Sequence, residues 1–302
     1  MKDRRSSCIV SHTHVNTSLI TIQVLNGVSY GMLLFLLAAG LTLTFGLLRV
    51  VNLTHGSYYL LGGYFGLMIV KATGNFWLGI LVGAVLMAVL GIIIQRFFLS
   101  RYPHQELSQV LLTFGFLFLL GDLALWQFGG TPQTIPTPTI FQGAVSLGAA
   151  RFPTYRFVLI AAGVIIGLFL WWFIDYTRVG MIVRASVSDA ETAGGLGVNV
   201  PILMTGVFAL GALLAGAAGV IGGPLVGMYP GADLDILLLG IVIVILGGLG
   251  SLRGAFLAAI LVGLLDTAGR TLFPQFSLFA IFAPMVIVLV VRPSGLLGRS
   301  MT

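Results

Sequence analysis

Apolar residues in this chain arrive in long, uninterrupted runs. The first extends from Leu19 to Val51, and stretches of the same character lie near residues 20–48, 57–71, 76–95, 107–127, 157–174, 202–228, 236–250, 255–272 and 278–291. About 20 consecutive apolar residues are what a helix needs to cross the hydrocarbon core of a bilayer. With 58% hydrophobic and 8% charged residues among 302, the chain lacks the polar side chains to cover a water-soluble globule. Lipid offers the backbone no hydrogen bonds, so the spanning segments must be helices that satisfy their own. The expected fold is all-α, a polytopic transmembrane helical bundle of about 8 to 10 spans with the bilayer as its solvent.

The 41 glycines are about twice the usual share, and small residues let helix backbones approach closely in membranes. Gly27 and Gly31 in the first run, and Gly62, Gly63 and Gly66 in the second, are also helix-weakening, so broken or re-entrant segments are expected there. The run 57–71 is marginal for a full crossing. A polar N-terminal tail, 1–18, precedes a single transmembrane domain, 19–302, that carries one long polar loop at 175–201. The first run far exceeds a signal-peptide core, so no cleaved leader is expected.

The net charge of +6 does not indicate nucleic acid, because basic residues stand singly between apolar runs and form no stripe. They read as orientation charges. The stretches 96–106 (Arg96, Arg101), 175–200 (Arg178, Arg184) and the tail after Val291 (Arg292, Arg299) fall on one side if the spans alternate, and the positive-inside rule makes that side cytoplasmic. The opposite side receives residues 129–156, Tyr229–Asp235 and Phe273–Ser277. One conflict arises: three spans before Arg96 place Lys2, Arg4 and Arg5 outside, whereas their charge favours the inside. A re-entrant turn or an extra crossing within 20–71 is expected to resolve it.

Motifs for chemistry are few. Lys2 and Lys71 are the only lysines and neither sits in a phosphate-cradling loop; no zinc-protease motif, cysteine pair or nucleophile elbow is visible. The lone cysteine, Cys8, makes neither a disulfide framework nor a thiolate cluster. No metal, no cofactor and no catalytic residue is expected; the chain reads as a non-enzyme without an ATP site, driven from outside or by an ion gradient. Ionisable residues inside apolar runs are costly and therefore informative. They are Asp122 and the pair Asp266 and Arg270, spaced i, i+4 for an intrahelical contact.

Two polar stretches remain. Asn52-Leu-Thr-His55-Gly lies between two apolar runs; its histidine either caps a helix break or lines a solute route, and Asn52, Thr54, Ser57 and Tyr58 around it suit hydrogen bonding within a bundle. As the most polar intramembrane stretch, it supplies the candidate pathway residues Asn52, His55, Tyr58 and Tyr64. In the loop 175–201, Ser188 followed by Glu191 forms a capping box with Ser188 as N-cap, Gly194, Gly195 and Gly197 end the short helix, and Pro201 begins the next. Such a helix is either a docking element or a solvated connector. The segment Leu246–Gly254 is glycine-rich without a lysine and is expected to be a tight turn between closely packed helices, with Arg253 as an anchor.

The run NGVSYGMLLFLLAAGLTLTFGLLRVVNLTHGSYYLLGGYFG (26–66), the loop GMIVRASVSDAETAGGLGVNV (180–200), the segment ILGGLGSLRGAFLAAILVGLLD (245–266) and RPSGLLGR (292–299) resemble the branched-chain amino acid ABC transporter permeases of the LivH type across nearly the whole chain. The resemblance implies a permease subunit of an ATP-binding-cassette importer that translocates branched-chain or other small apolar amino acids across the bacterial inner membrane. It implies as partners a second homologous permease, two ATP-binding subunits and a periplasmic solute-binding protein. It also implies that Arg184, Ser188, Asp189, Glu191, Gly195 and Leu196 belong to the element that couples to the ATPase. A urea, amide or other small-solute ABC permease and an ion-gradient-driven carrier are the alternatives.

Overall fold

A computed structural model describes residues 4–48, 52–103, 105–147, 150–272 and 274–298; Lys2, Phe273 and Arg299 of the orientation argument lie outside them. The helices are α1 (Arg4–Leu48), α2 (His55–Thr73), α3 (Phe76–Phe97), α4 (Glu106–Phe128), α5 (Thr154–Tyr176), α6 (Arg178–Ser188), α7 (Ala190–Gly195), α8 (Val200–Gly222), α9 (Ala232–Gly247), α10 (Leu252–Leu272) and α11 (Ser277–Val291). The nine apolar runs all become helices. Six are long and apolar enough to cross a membrane: Ile20–Gly46 of α1, Phe76–Arg101, α4, α5, α8 and α10. α2, α9 and α11 are shorter, at 19, 16 and 15 residues. The all-α bundle carries one addition, an antiparallel hairpin of β1 (Ala144–Leu147) and β2 (Ala150–Pro153) in the 129–156 loop, with Val145 opposite Phe152.

Local chemistry sets the helix ends. Gly74, at φ 69°, closes α2, and the Asn75 side chain accepts from the Leu78 amide at 3.1 Å to open α3. Asn199 does the same for α8 through the Ile202 amide at 3.2 Å, with Pro201 in the first turn.

Burial separates an inner from an outer set. The α1 span is 83% buried, against 22% for α4 and 17% for α5. The inner helices meet through glycine. A Cβ on Gly31 would stand 2.5 Å from the Ala259 carbonyl oxygen of α10, and one on Gly62 would stand 2.4 Å from Gly216 Cα of α8. The expectation that Gly27, Gly31, Gly62, Gly63 and Gly66 break their helices is therefore corrected: α1 and α2 run straight through them. Glycine costs a helix roughly 1 kcal/mol, and the close backbone contact it permits in a bundle offsets that cost.

Contacts also assign the two ends. Gly46 abuts Gly250, Gly298 abuts Gly248, and Gly91 of α3 abuts Ala212 of α8, which gathers the ends of α1 and α3, the loop 175–201, the turn 247–254 and the C-terminal segment on one face, the loop face. Lys71 Nζ donates to Gln133 Oε1 at 3.1 Å, and Gln133 pairs with Met228, on the opposite, hairpin face. Gly27 packs on Leu264, so the α1 span starts at the hairpin face, and α1, α2 and α3 make three passes before Arg96. The extra crossing expected within 20–71 is absent among the described residues. The re-entrant feature is present in another form: His55, at the start of α2, sits against Leu37 of α1. Leu37 lies eleven residues before the end of α1, roughly 16 Å along its axis. α2 thus begins deep in the bundle, which leaves the number of passes unchanged.

Candidate functional site

The deep start of α2 concentrates polar groups. Asn52 Oδ1 accepts from the Thr54 amide at 3.1 Å, Thr54 Oγ1 donates to the Thr113 carbonyl at 3.0 Å, and Ser57 Oγ donates to the Leu117 carbonyl at 3.3 Å, tying α2 to α4. His55 Nε2 lies 3.0 Å from the Leu37 carbonyl oxygen, an acceptor only, so Nε2 carries the proton and Nδ1 a lone pair. The His55 ring meets Tyr58 edge-on at 6.2 Å, and Tyr58 meets Phe208 the same way at 6.4 Å. Thr54 holds the N-cap position of α2, and the His55 ring bridges to α1.

Three buried atoms of this cluster, Asn52 Nδ2, His55 Nδ1 and Tyr58 Oη, make no well-formed hydrogen bond among the described residues, although the Asn52 and Tyr58 side chains are neighbours. Buried polar atoms are paired in the great majority of cases, with protein or with ordered water. Two donors and one acceptor form the complement of a water molecule or a small polar group. Tyr64 stands apart: buried, it stacks on Phe128 at 4.4 Å with the rings 3° from parallel. The structure brings Asn52, His55 and Tyr58 together and leaves Tyr64 two turns further along, against the end of α4.

On the loop face, α6 and α7 follow α5 without a long linker. α6 is one-sided: Gly180, Val183 and Ser186 turn inward while Val179, Met181 and Ile182 are exposed. Its seat is close, since a Cβ on Gly180 would lie 2.2 Å from the Ile174 carbonyl oxygen. The expected Ser188 cap is corrected by one residue. Ser188 ends α6, and Asp189, in extended conformation, caps α7 by accepting from the Thr192 amide at 2.9 Å and from the Thr192 hydroxyl. A carboxylate also suits the positive end of a helix better than a hydroxyl. These bonds, the hydroxyl's first, hold the Asp189 carboxyl below the usual carboxylate range. The far end closes in a Schellman arrangement: Val198 N–H donates to the Ala193 carbonyl, Gly197 N–H to the Gly194 carbonyl, and Gly197 has φ 89°.

Of the expected coupling residues, Ser188, Asp189, Glu191, Gly195 and Leu196 are exposed, Leu196 at 82%. Arg184 points the other way. It donates to the Ile174 carbonyl oxygen and lies 3.5 Å from Asp175, whose other oxygen takes Arg253 at 3.0 Å. Arg253 also sits 5.0 Å over the Trp171 ring. Arg184 and Arg253 are anchors, as expected for Arg253, and Asp175 is the knot between α5, α6 and α10. The sequence signal for that knot was an acid at the end of an apolar run facing two loop arginines.

Sequence reasoning missed a second charged group. Asp233 and Asp235 open α9, and Tyr229 Oη donates to Asp235 Oδ2 at 2.9 Å. Asp266 and Arg270 pair within α10 as expected, through Nε to both carboxylate oxygens at 2.8 Å. Burial, then the hydrogen bond and charge of Asp235, hold the Tyr229 phenol above its usual range, while Arg270 pulls it down. The available signal was two acids spaced at i, i+2 before an apolar run, which reads equally well as helix-dipole charge.

The chain matches the family model described as "branched-chain amino acid transport system / permease component" over residues 23–291. It is 28% identical to the high-affinity branched-chain amino acid transport system permease protein LivH of Escherichia coli K12 over 296 residues, covering 92% of this chain and 95% of that one. Identity to the corresponding protein BraD of Pseudomonas aeruginosa is 27% over 292 residues, with 92% and 95% covered. A probable branched-chain amino acid transport permease protein LivH of Methanocaldococcus jannaschii is 27% identical over 298 residues, with 91% and 92% covered. With a match that runs from the first span through α11, this chain belongs to the permease-component family of branched-chain amino acid transport systems.

Proposed function

We propose that this protein is the membrane-spanning permease subunit of an ATP-binding-cassette importer that moves branched-chain amino acids across the bacterial inner membrane. A second homologous permease, two ATP-binding subunits and a periplasmic solute-binding protein would complete the machine. The relatives that align over 95% of their length are named for branched-chain amino acids, which favours those solutes over urea, amides or an ion-driven cargo. The observation that carries the reading is α7: a short helix capped at both ends, with Leu196 exposed beside it, that directly follows α6, which the Asp175 knot ties to α5 and α10.

In this reading the tail 1–18 precedes one permease domain, the loop 175–201 is cytoplasmic, and Ser188, Asp189, Glu191, Gly195 and Leu196 face the ATPase, with Arg184 bracing them from behind. The chain has no ATPase site of its own. Closure of the ATP-bound dimer displaces α7, and Asp175 passes that displacement to α5 and α10. The bundle exchanges one packing for another only because the ATPase binds the two states with different affinity. Asn52, His55 and Tyr58 lie beside the solute route and change hydrogen-bond partners as α2 shifts, and Tyr64 holds α2 against α4.

The test is reconstitution. In proteoliposomes the complete assembly accumulates radiolabelled leucine with ATP, and this chain alone accumulates none. Leu196→Asp lowers uptake at least tenfold while the assembly still purifies at full stoichiometry. Uphill accumulation by the isolated chain, or full uptake by Leu196→Asp, refutes the reading.

A further inference from the structure

The outer faces of α3 and α5 suit lipid. Exposed side chains run through Leu81, Val85 and Val89 on α3 and through Ile165, Leu168 and Phe169 on α5. No ionisable residue stands between Trp77 and Ile94 or between Phe157 and Ile174. The side of the bundle where α9 begins is different, and contacts fix its depth. His55 lies against Leu37, nine residues before the loop-face end of the first span at Gly46 and seventeen after its hairpin-face end at Ile20, roughly 14 Å and 26 Å. Gly56, the next residue, abuts the Asp233 carbonyl oxygen, and Gly63, two turns further along α2, abuts the Met228 side chain. Residues 228–233 therefore lie within the hydrocarbon layer, roughly 30 Å thick.

Two independent features of this stretch are incompatible with lipid. The first is backbone. Tyr229, Pro230 and Gly231 are not helical, Pro230 and Gly231 are exposed, and no atom stands within 4 Å of the Cβ position at Gly231. Irregular backbone occurs at such depth only where protein covers it or water fills a cavity beside it. The second is charge. Asp235, in the first turn of α9, is exposed. So is Asp122 of α4, the neighbour of Gly121, whose Cβ position lies 3.0 Å from Asp233 Oδ2. Among the described residues neither exposed carboxylate pairs with a cation, and Asp235 Oδ2 accepts only from the Tyr229 hydroxyl. A carboxylate within a membrane faces water or the interior of a bundle, not hydrocarbon.

Water at that depth must be walled off from lipid by protein that itself spans the membrane. In the importer proposed above, the ATP-binding subunits meet the loop face and the binding protein meets the hairpin face, which leaves the second permease to supply the wall. We propose that the first turns of α9 and the adjoining stretch of α4 face the second permease across a water-filled solute route, while the outer faces of α3 and α5 meet lipid. Asp122 and Asp235 keep the route hydrated. Leu234 and Leu238, exposed at 38% and 52% on the turns that carry Asp235, offer an aliphatic solute an apolar wall. The proposal rests on the reading of the chain as one permease of a pair and adds which of its faces the pair shares.

The experiment uses the complete importer with Cys8→Ser, which removes the only cysteine of this chain. Leu238→Cys, Leu81→Cys and Leu168→Cys are introduced one at a time, and the assembly is placed in lipid nanodiscs, where both faces meet solvent. A sulfonated maleimide is expected to modify Leu238→Cys at least tenfold faster than the other two. A benzophenone maleimide, irradiated, is expected to join this chain to the second permease from Leu238→Cys alone. In proteoliposomes, Leu238→Trp lowers leucine uptake at least fivefold and Leu168→Trp leaves it within twofold of wild type. Equal modification rates at the three positions overturn the proposal, as does unchanged uptake in Leu238→Trp. Cross-linking to the second permease from Leu81→Cys or Leu168→Cys and not from Leu238→Cys overturns it by moving the shared face. Fast modification of Leu238→Cys without the cross-link overturns it too, since the water would then be enclosed without the second permease. A wild-type assembly that purifies without a second permease, or that moves no leucine, removes the reading beneath the proposal before any variant is compared.

Discussion

The two ends of α9 are built on opposite principles. At Gly247 the helix ends in a clamp made of backbone: a Cβ on Gly254 would lie 1.9 Å from the Gly247 carbonyl oxygen, Gly298 and Gly295 crowd Gly248, and Leu296 and Leu297 donate to the Leu246 and Gly247 carbonyls at 2.8 and 3.1 Å. At Gly231 the helix begins with no neighbour near the missing side chain, and its first turns carry charge. One end is closed by backbone contacts and the other opens onto free space. The proposed transport cycle calls for both a pivot and a surface whose contacts exchange, and the two ends of this 16-residue helix are the candidates for them.

The largest effect should come from breaking the clamp. Gly254→Val places atoms where a carbonyl oxygen stands, and overpacking of this kind costs about 3 kcal/mol. The expected outcome is loss of most folded protein from the membrane, or a melting temperature of the detergent-purified assembly well below wild type. Gly231→Ala, at φ 93° but in open space, meets only the left-handed backbone cost of about 1 to 2 kcal/mol. Equal shifts for the two variants would remove the distinction between a rigid and an open end.

A smaller effect separates the polar cluster from both ends. His55→Ala deletes the bridge to the Leu37 carbonyl and leaves a cavity, at a cost of about 2 kcal/mol. Tyr58→Phe keeps the ring between His55 and Phe208 and removes only a hydroxyl that makes no well-formed hydrogen bond among the described residues, so thermal stability should stay within a degree or two of wild type. Leucine uptake then discriminates. If the cluster lies beside the solute route, Tyr58→Phe and Asn52→Ala lower uptake severalfold in protein that is still folded, and unchanged uptake in both reduces the cluster to packing.

These regions differ in how much of them the sequence reveals. The turn at Leu246–Gly254 was legible because both uses of its glycines, left-handed backbone at Gly248 and Gly250 and close approach at Gly247 and Gly254, point to a tight turn. Gly31 and Gly62 were misread because glycine in an apolar run weakens a helix and also flattens its face, and only the opposing Ala259 and Gly216 decide between the two. The helix 190–195 was legible to within one residue: S-D-A-E and D-A-E-T overlap, and the continuation of α6 through Ser188 selected the second. The link between His55 and Leu37 joins positions 18 apart, and Arg253 meets Asp175 across 78. Local patterns specify caps and turns; they carry no record of which helix lies opposite.

The smallest expected effect tests the cap on the loop-face helix, where the clamp's motion would be received. Asp189 is fully exposed, and its carboxyl sits below the usual 3.8 because Thr192 donates to it twice. A depressed folded-state pKa means that the cap's contribution is complete above the unfolded value near 3.8 and is lost only as pH falls through the lower folded value. Between pH 8 and pH 5 the cap therefore contributes no pH dependence to the ratio of leucine moved to ATP hydrolysed. Asp189→Asn keeps an oxygen for the Thr192 amide and should leave that ratio near wild type, whereas Asp189→Ala frays the first turn of α7 and should lower it about twofold. A fall in the wild-type ratio between pH 8 and pH 5 that persists in Asp189→Asn would assign the sensitivity to another group. One that disappears in Asp189→Asn would mean that the carboxylate's charge contacts the ATPase directly, and the helix would then be a ligand of the ATPase in its own right as well as a lever on the bundle.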